Sequence, residues 1–235
     1  MFNTRRAILN TIQIVAIASS TIFPLAAMAE SQPSSTQENR ESRQIANVGL
    51  PTNRRDGGSR GGCGTGDVSG FVAIIPETGV NFSASATPKL YFHVPESKQA
   101  RTIELVLRDD SDRLVYEQFL TVSQKSGVMS VEIPLPITQK SSTEKAGYRW
   151  YLSNICNSKN RSQDIVLEGW IEHQPLSESE KQRLASFSDE EKLAFYQKRG
   201  FWHDSLELAA KDKEQWSQLL SEVGLASFSD KDLIE

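Results

Sequence analysis

From Phe71 to Glu172 apolar residues recur at every second position, and this period constrains the fold more than any other feature of the chain. Leu90, Phe92 and Val94 alternate with Tyr91 and His93, and Ile103, Leu105 and Leu107 with Thr102, Glu104 and Arg108. Leu114, Tyr116, Leu120 and Val122 share one parity, as do Met129, Val131, Ile133 and Leu135. Tyr148, Trp150, Leu152 and Cys156 alternate with Arg149, Tyr151, Ser153 and Ile155, and Ile165, Leu167 and Ile171 with Val166, Glu168, Trp170 and Glu172. Phe71 to Ile75 is a continuous apolar run. Period two sends successive side chains to opposite faces of an extended strand, so each segment has one face to bury. About seven or eight such strands, divided by turn residues, predict an antiparallel β-sandwich, immunoglobulin-like or similar, rather than a βαβ fold. Asp109-Asp110-Ser111-Asp112 stands where a hairpin turn belongs, and Pro134 with Pro136 marks an edge strand or its exit.

After Pro175 the period changes. Ser177 with Glu180, and Ser188 with Glu191, have capping-box spacing. Leu193, Tyr196 and Gly200 fit one helix, Leu206, Ala209 and Ala210 another, and Trp216, Leu219, Leu220 and Val223 a third that ends at Gly224. The predicted class is therefore α+β: residues 49–174 form a Gly-rich lead-in plus sandwich, and residues 175–235 form C-terminal helices docked on it. On a lone sandwich Tyr151, Val166 and Trp170 would face solvent, while the tail carries Phe187, Phe195, Tyr196, Phe201 and Trp202. These two sets are expected to meet. The tail also repeats the hexapeptide Leu184–Asp189 at Leu225–Asp230, which reads as two similar helix-starting segments rather than a solenoid.

Residues 1–29 have the order of an export signal: Arg5 and Arg6, a mostly apolar Ile8–Leu25, then Ala27-Met28-Ala29 with cleavage expected near Ala29–Glu30. The paired arginines leave Sec and twin-arginine export both open. Residues 30–48 are mostly polar with almost no large apolar side chains, as in a disordered linker. An extracytoplasmic protein (periplasmic or secreted) with no membrane span after cleavage is expected. Lys plus Arg number 26 against 30 for Asp plus Glu in the whole chain, and a net acidic protein has no general attraction to nucleic acid. In an oxidising compartment Cys63 and Cys156, the two cysteines of the chain, allow a single disulfide. Two buried thiols, or a metal site shared with a histidine, are the alternatives.

Catalytic signatures are mostly missing. The chain has no phosphate-loop GxxxxGK[ST], no HExxH and no GxSxG. Ser142 to Lys145 satisfies SxxK but lies in a polar inter-strand stretch. His93, His173 and His203 have no ligand spacing, and the Asp109–Asp112 turn reads as solvated. Seven of the fourteen glycines lie between Gly57 and Gly70, beside Arg54, Arg55 and Arg60. Successive amides there could form an anion nest; the favoured reading is backbone threading past the sandwich, pinned at Cys63. Glu168 and Trp170, with Tyr151 nearby, could serve a sugar platform, but no second placed carboxylate supports a glycosidase. The candidate binding residues are thus Tyr151, Glu168, Trp170, Arg55 and Arg60, with no catalytic residue, metal or cofactor expected. A non-enzymatic protein with a protein partner in the cell envelope is the first functional expectation. A carbohydrate or small-ligand module using Trp and Tyr on the sandwich face is the second, and a hydrolase the third.

Several short motifs together resemble a known family: Gly49-Leu50-Pro51, Arg60-Gly61-Gly62-Cys63, Phe92-His93-Val94-Pro95, Tyr148-Arg149-Trp150-Tyr151, Glu168-Gly169-Trp170-Ile171 and Gly200-Phe201-Trp202-His203-Asp204-Ser205-Leu206. The chain resembles the exported bacterial family, abundant in cyanobacteria, catalogued as domain of unknown function 928, over about residues 49 to 225. The resemblance implies an extracytoplasmic protein of this architecture with Cys63 and Cys156 at the family's cysteine positions. It implies no activity, so no catalytic residue is carried over.

Overall fold

The computed structural model describes residues 54–55, 70–77, 80–135 and 146–234. The expected signal segment, linker and glycine cluster, together with Arg60, Cys63, Pro136 and the SxxK stretch, lie outside the described residues. Among the described residues the strands are β1 (Val72–Ala73), β2 (Val80–Ser83), β3 (Lys89–Val94), β4 (Arg101–Asp109), β5 (Leu114–Val122), β6 (Gly127–Glu132), β7 (Ala146–Ile155), β8 (Ile165–His173) and β9 (Leu233–Ile234). The helices are α1 (Glu178–Ala185), α2 (Asp189–Arg199), α3 (Trp202–Ala209) and α4 (Lys213–Glu222). The molecule is α+β, with a five-stranded sheet ordered β2-β8-β7-β4-β5 and a four-stranded sheet ordered β1-β3-β6-β9.

Both sheets are mixed, which corrects the expectation of a purely antiparallel arrangement. β2 runs parallel to β8, and β9 parallel to β6. Neither β2 (VNFS) nor β9 (LI) has enough alternating residues to signal itself; each is held by a strand distant in sequence. The predicted turn is real: Asp109 to Asp112 closes the β4–β5 hairpin, with Asp112 at φ 59°. Pro134 lies just beyond β6, at its exit.

The alternating residues of both sheets form one apolar cluster that includes Leu90, Phe92, Leu105, Trp150, Leu167 and Ile171. Phe92 meets Trp150 edge-on, with ring centroids 5.4 Å apart, a favourable quadrupole arrangement. Trp150 lies so close across Gly169 that a Cβ there would sit 2.5 Å from Cζ2 of the indole. Glycine at this position is the condition for a fully buried tryptophan on the neighbouring strand.

The burial patterns and polar ties show where the helices attach. On β4 and β8 every second residue is buried and its neighbours are only half-buried for most of the strand, so one face retains solvent contact. On β3 every residue from Leu90 to Val94 is buried, so both faces are covered. Tyr91 packs on Trp216 of α4 and His93 on Phe228, with centroids 5.6 and 4.7 Å apart. α3 supplies polar ties: Trp202 Nε1 donates to the Ile74 carbonyl at 2.8 Å, the Ala84 amide donates to Asp204 at 3.0 Å, and Lys89 pairs with Glu207 at 2.7 Å. The helical anchors therefore fall on the four-stranded sheet and the end of β2. These ties differ from the expected meeting with Tyr151, Val166 and Trp170, although on that face a Cβ at Gly200 would sit 3.6 Å from Phe82 of β2. The reason is chemical: Tyr91 and His93, which alternation alone assigns to an exposed face, are apolar enough in outline to be buried under Trp216 and Phe228, and the His93 ring nitrogens find Gly70 O and Ser126 Oγ.

Both capping boxes form, at Ser177/Glu180 and Ser188/Glu191. Gly200 ends α2 in the left-handed region at φ 73° rather than continuing a helix. The hexapeptide echo is also corrected. Its first copy leads into α2, whereas the second makes a single 3-10 turn (Ala226–Phe228) and passes on to β9. Ser188 is followed at the third position by Glu191, but Ser229 by the shorter Asp232, and the box is absent.

Candidate functional site

Three of the five residues singled out for binding come together. β7 and β8 are antiparallel neighbours, with Tyr151 opposite Glu168 and Arg149 opposite Trp170. All four belong to the half-buried face of the five-stranded sheet. Arg149 organises them: its guanidinium carbon lies 5.0 Å from the Tyr151 ring centroid and 5.8 Å from that of Trp170, and its Nη2 donates to Glu168 at 2.7 Å. One cation thus engages two aromatic rings and a carboxylate. Burial raises the Tyr151 phenol above its ordinary pKa. Arg149 Nε and Trp170 Nε1 are buried and make no hydrogen bond. The same face extends toward the sheet edge: Val106 stands opposite Tyr151, Glu104 opposite Phe119, and Glu117 opposite Val106.

Sequence reasoning passed over Arg149, although its parity with Tyr151 was visible. Spacing shows that two residues share a face, not that one side chain lies between two others.

Of the remaining candidates, Arg60 is outside the described residues and Arg55 lies elsewhere. Arg55 is exposed, makes an isolated bridge to Val72, and holds its guanidinium 5.9 Å from the Phe228 ring centroid. Arg54, grouped in the sequence with Arg55 and Arg60 beside the glycines, is buried and donates to the carbonyls of Ile75 and Val223 at 3.1 and 2.9 Å and to Glu77 at 3.2 Å. It thereby ties the segment before β1 to the end of α4. Burial lowers its pKa, with Glu77 acting in the opposite sense. Cys156, just past β7, is not a free thiol. Its amide donates to Asp164 at 3.0 Å, and Arg161 bridges Asp164 to Glu104.

Groups with catalytic potential stand apart from one another. Glu168 is on the open face of one sheet. His93 is on the helix-covered face of the other, between Gly70 O (2.5 Å) and Ser126 Oγ (3.2 Å). His203 is buried, with Nδ1 3.3 Å from the Lys89 carbonyl. In the hairpin turn Asp109 accepts from the amides of Ser111 and Arg113 and from Arg113 Nε, so its oxygens are already occupied. Among the described residues no group of three or more His, Cys, Asp or Glu side chains is placed to hold a metal, and no helix is long and apolar enough to cross a membrane. A cleft of about 390 Å³ between α4 and the segment Ser229–Leu233 mixes Lys211, Lys213 and Lys231 with Asp230 and Asp232. Its charges largely answer one another, as in the Lys213–Asp230 pair at 3.1 Å.

The segment Phe201–Leu206 directs its polar side chains into the fold, with His203 Nε2 buried and making no hydrogen bond. Trp202, His203 and Asp204 each bond to a different strand or strand end, Ser205 bonds to the Phe201 carbonyl, and Leu206 is buried. The motif is a docking key for α3. No match is found among curated proteins. A family model described as Domain of Unknown Function (DUF928) matches residues 55–233, from the Arg55 bridge to β9, and the chain belongs to that family.

Proposed function

We propose that this is an exported, non-catalytic interaction module whose two sheets pack as a sandwich and whose five-stranded sheet presents a binding face to a protein partner in the cell envelope. One observation carries the reading. The helical ties fall on the four-stranded sheet and the end of β2, while Tyr151, Arg149, Glu168 and Trp170 lie on the half-exposed face of the five-stranded sheet. Tyr, Trp and Arg are the residues that most often supply binding energy at protein interfaces. Here they are already ordered by mutual contact, which lowers the entropy lost on association.

A carbohydrate ligand is the second reading, favoured by Tyr151 and Trp170 sharing this face. It is weaker because the Arg149 guanidinium already lies near both rings, where a sugar would stack. A photocrosslinking residue at position 151 of the exported protein separates the two readings. The expected result is one discrete, protease-sensitive adduct in the envelope fraction that is lost in Arg149→Ala. Retention on cell-wall polysaccharide without a protein adduct would favour the carbohydrate reading, and no adduct of either kind would overturn the binding role of the face.

A further inference from the structure

Among the described residues β5 is the outer strand of the five-stranded sheet, and no described strand pairs with its free side over its nine residues. Proteins usually protect such an edge with proline, lysine or a short strand. β5 (LVYEQFLTV) has none of these, and Glu117 is its single charge. Among the described residues three large apolar side chains are exposed, and two are on this strand: Leu114 at 53% and Phe119 at 56%. The bulge at Leu107/Arg108 places Leu114 opposite Arg108, away from the buried parity to which alternation assigns it.

We propose that β5 pairs with β5 of a second copy of this chain, antiparallel about a two-fold axis at Gln118. An isologous contact requires the strand to be complementary to itself, and its charge pattern meets that condition in this register. Tyr116 pairs with Leu120 of the second copy, Glu117 with Phe119, and Gln118 with Gln118, while the bulge sets Leu114 off the buried parity that Val122 keeps. Each pair joins residues of one parity, so faces are preserved. Shifting the axis to Glu117 would place two like charges directly opposite, which is unfavourable, and shortens the overlap. The pairing makes a continuous ten-stranded sheet and sets the two Tyr151–Arg149–Trp170 clusters on the same side. It stands whether or not that face binds a partner.

The register makes the test specific. Sedimentation equilibrium of the mature chain is expected to show a reversible dimer. Phe119→Glu places Glu opposite Glu117 twice and should weaken the dimer by about tenfold or more. The double variant Glu117→Lys/Phe119→Glu restores opposite charges and should recover it. Phe119→Lys alone should remain dimeric. Both positions are exposed, and unchanged thermal melts of the dilute variants would show that folding is intact. A wild type that stays monomeric at all concentrations, or a dimer indifferent to Phe119→Glu, would overturn the proposal. A dimer that Glu117→Lys fails to rescue would overturn the register.

Discussion

His203 is neutral in the folded chain because no solvent reaches it: burial depresses its pKa from 6.5 to about 4, only partly opposed by its bond to the Lys89 carbonyl. The unfolded chain takes up a proton near pH 6.5, whereas the folded chain resists until about pH 4. Stability tied to the neutral ring is therefore complete above pH 6.5 and lost as the pH falls toward 4, by about 3 kcal/mol at the limit. Burial shifts His93 and His173 in the same direction. The neighbouring Asp204 has the opposite sign: burial raises its pKa, so its contribution is present at low pH and declines as the pH rises above 3.8. Denaturation midpoints measured between pH 7.5 and 4.5 should fall steeply in the wild type and more shallowly in His203→Gln. Equal slopes would show that His203 does not govern the loss.

At the scale of elements, α3 determines how sheets and helices join. It donates through Trp202 to a carbonyl beyond β1 and accepts through Asp204 from an amide beyond β2, while its buried Leu206 and Ala209 enter the main core. Trp202→Phe keeps an aromatic ring but removes the N–H, leaving the Ile74 carbonyl without that bond and a small void beside it. A loss of about 2–3 kcal/mol is expected, combining an unmade buried hydrogen bond with a cavity. Chemical denaturation followed by tryptophan fluorescence and far-UV dichroism would measure it, and coincident transitions are expected because α3 spans both kinds of structure. A loss confined to helical signal would mean that the helices unfold independently. The long strands were readable because one buried face imposes a period on their sequence. β2 and β9 were not, since four residues and two carry too little pattern and their parallel partners lie about 90 and 105 positions away.

Across the whole molecule, the lead-in, the strands and the tail are fastened at a few points. Arg54 joins the first described residues to the end of α4, and Asp164 holds the amide of Cys156 beside the β7–β8 connection. We propose that Cys156 bonds to Cys63, which lies outside the described residues. In the chain-entropy model a loop of this length contributes about 4–5 kcal/mol. Mass spectrometry of the native protein alkylated without reduction should find neither cysteine modified and one peptide pair linked through Cys63 and Cys156. Two alkylated thiols would remove the bond. Sequence by itself determined that the chain is α+β, where its long strands and capped helices run, and that Tyr151, Glu168 and Trp170 share a face. These follow from local rules: side chains alternate along a strand, and a helix start needs its free amides capped. Only the tertiary structure decided which strands the helices are tied to, that both sheets are mixed, and that Arg149 lies near two rings. Those outcomes depend on which distant surfaces satisfy one another's apolar area and hydrogen bonds, and no local period encodes that choice.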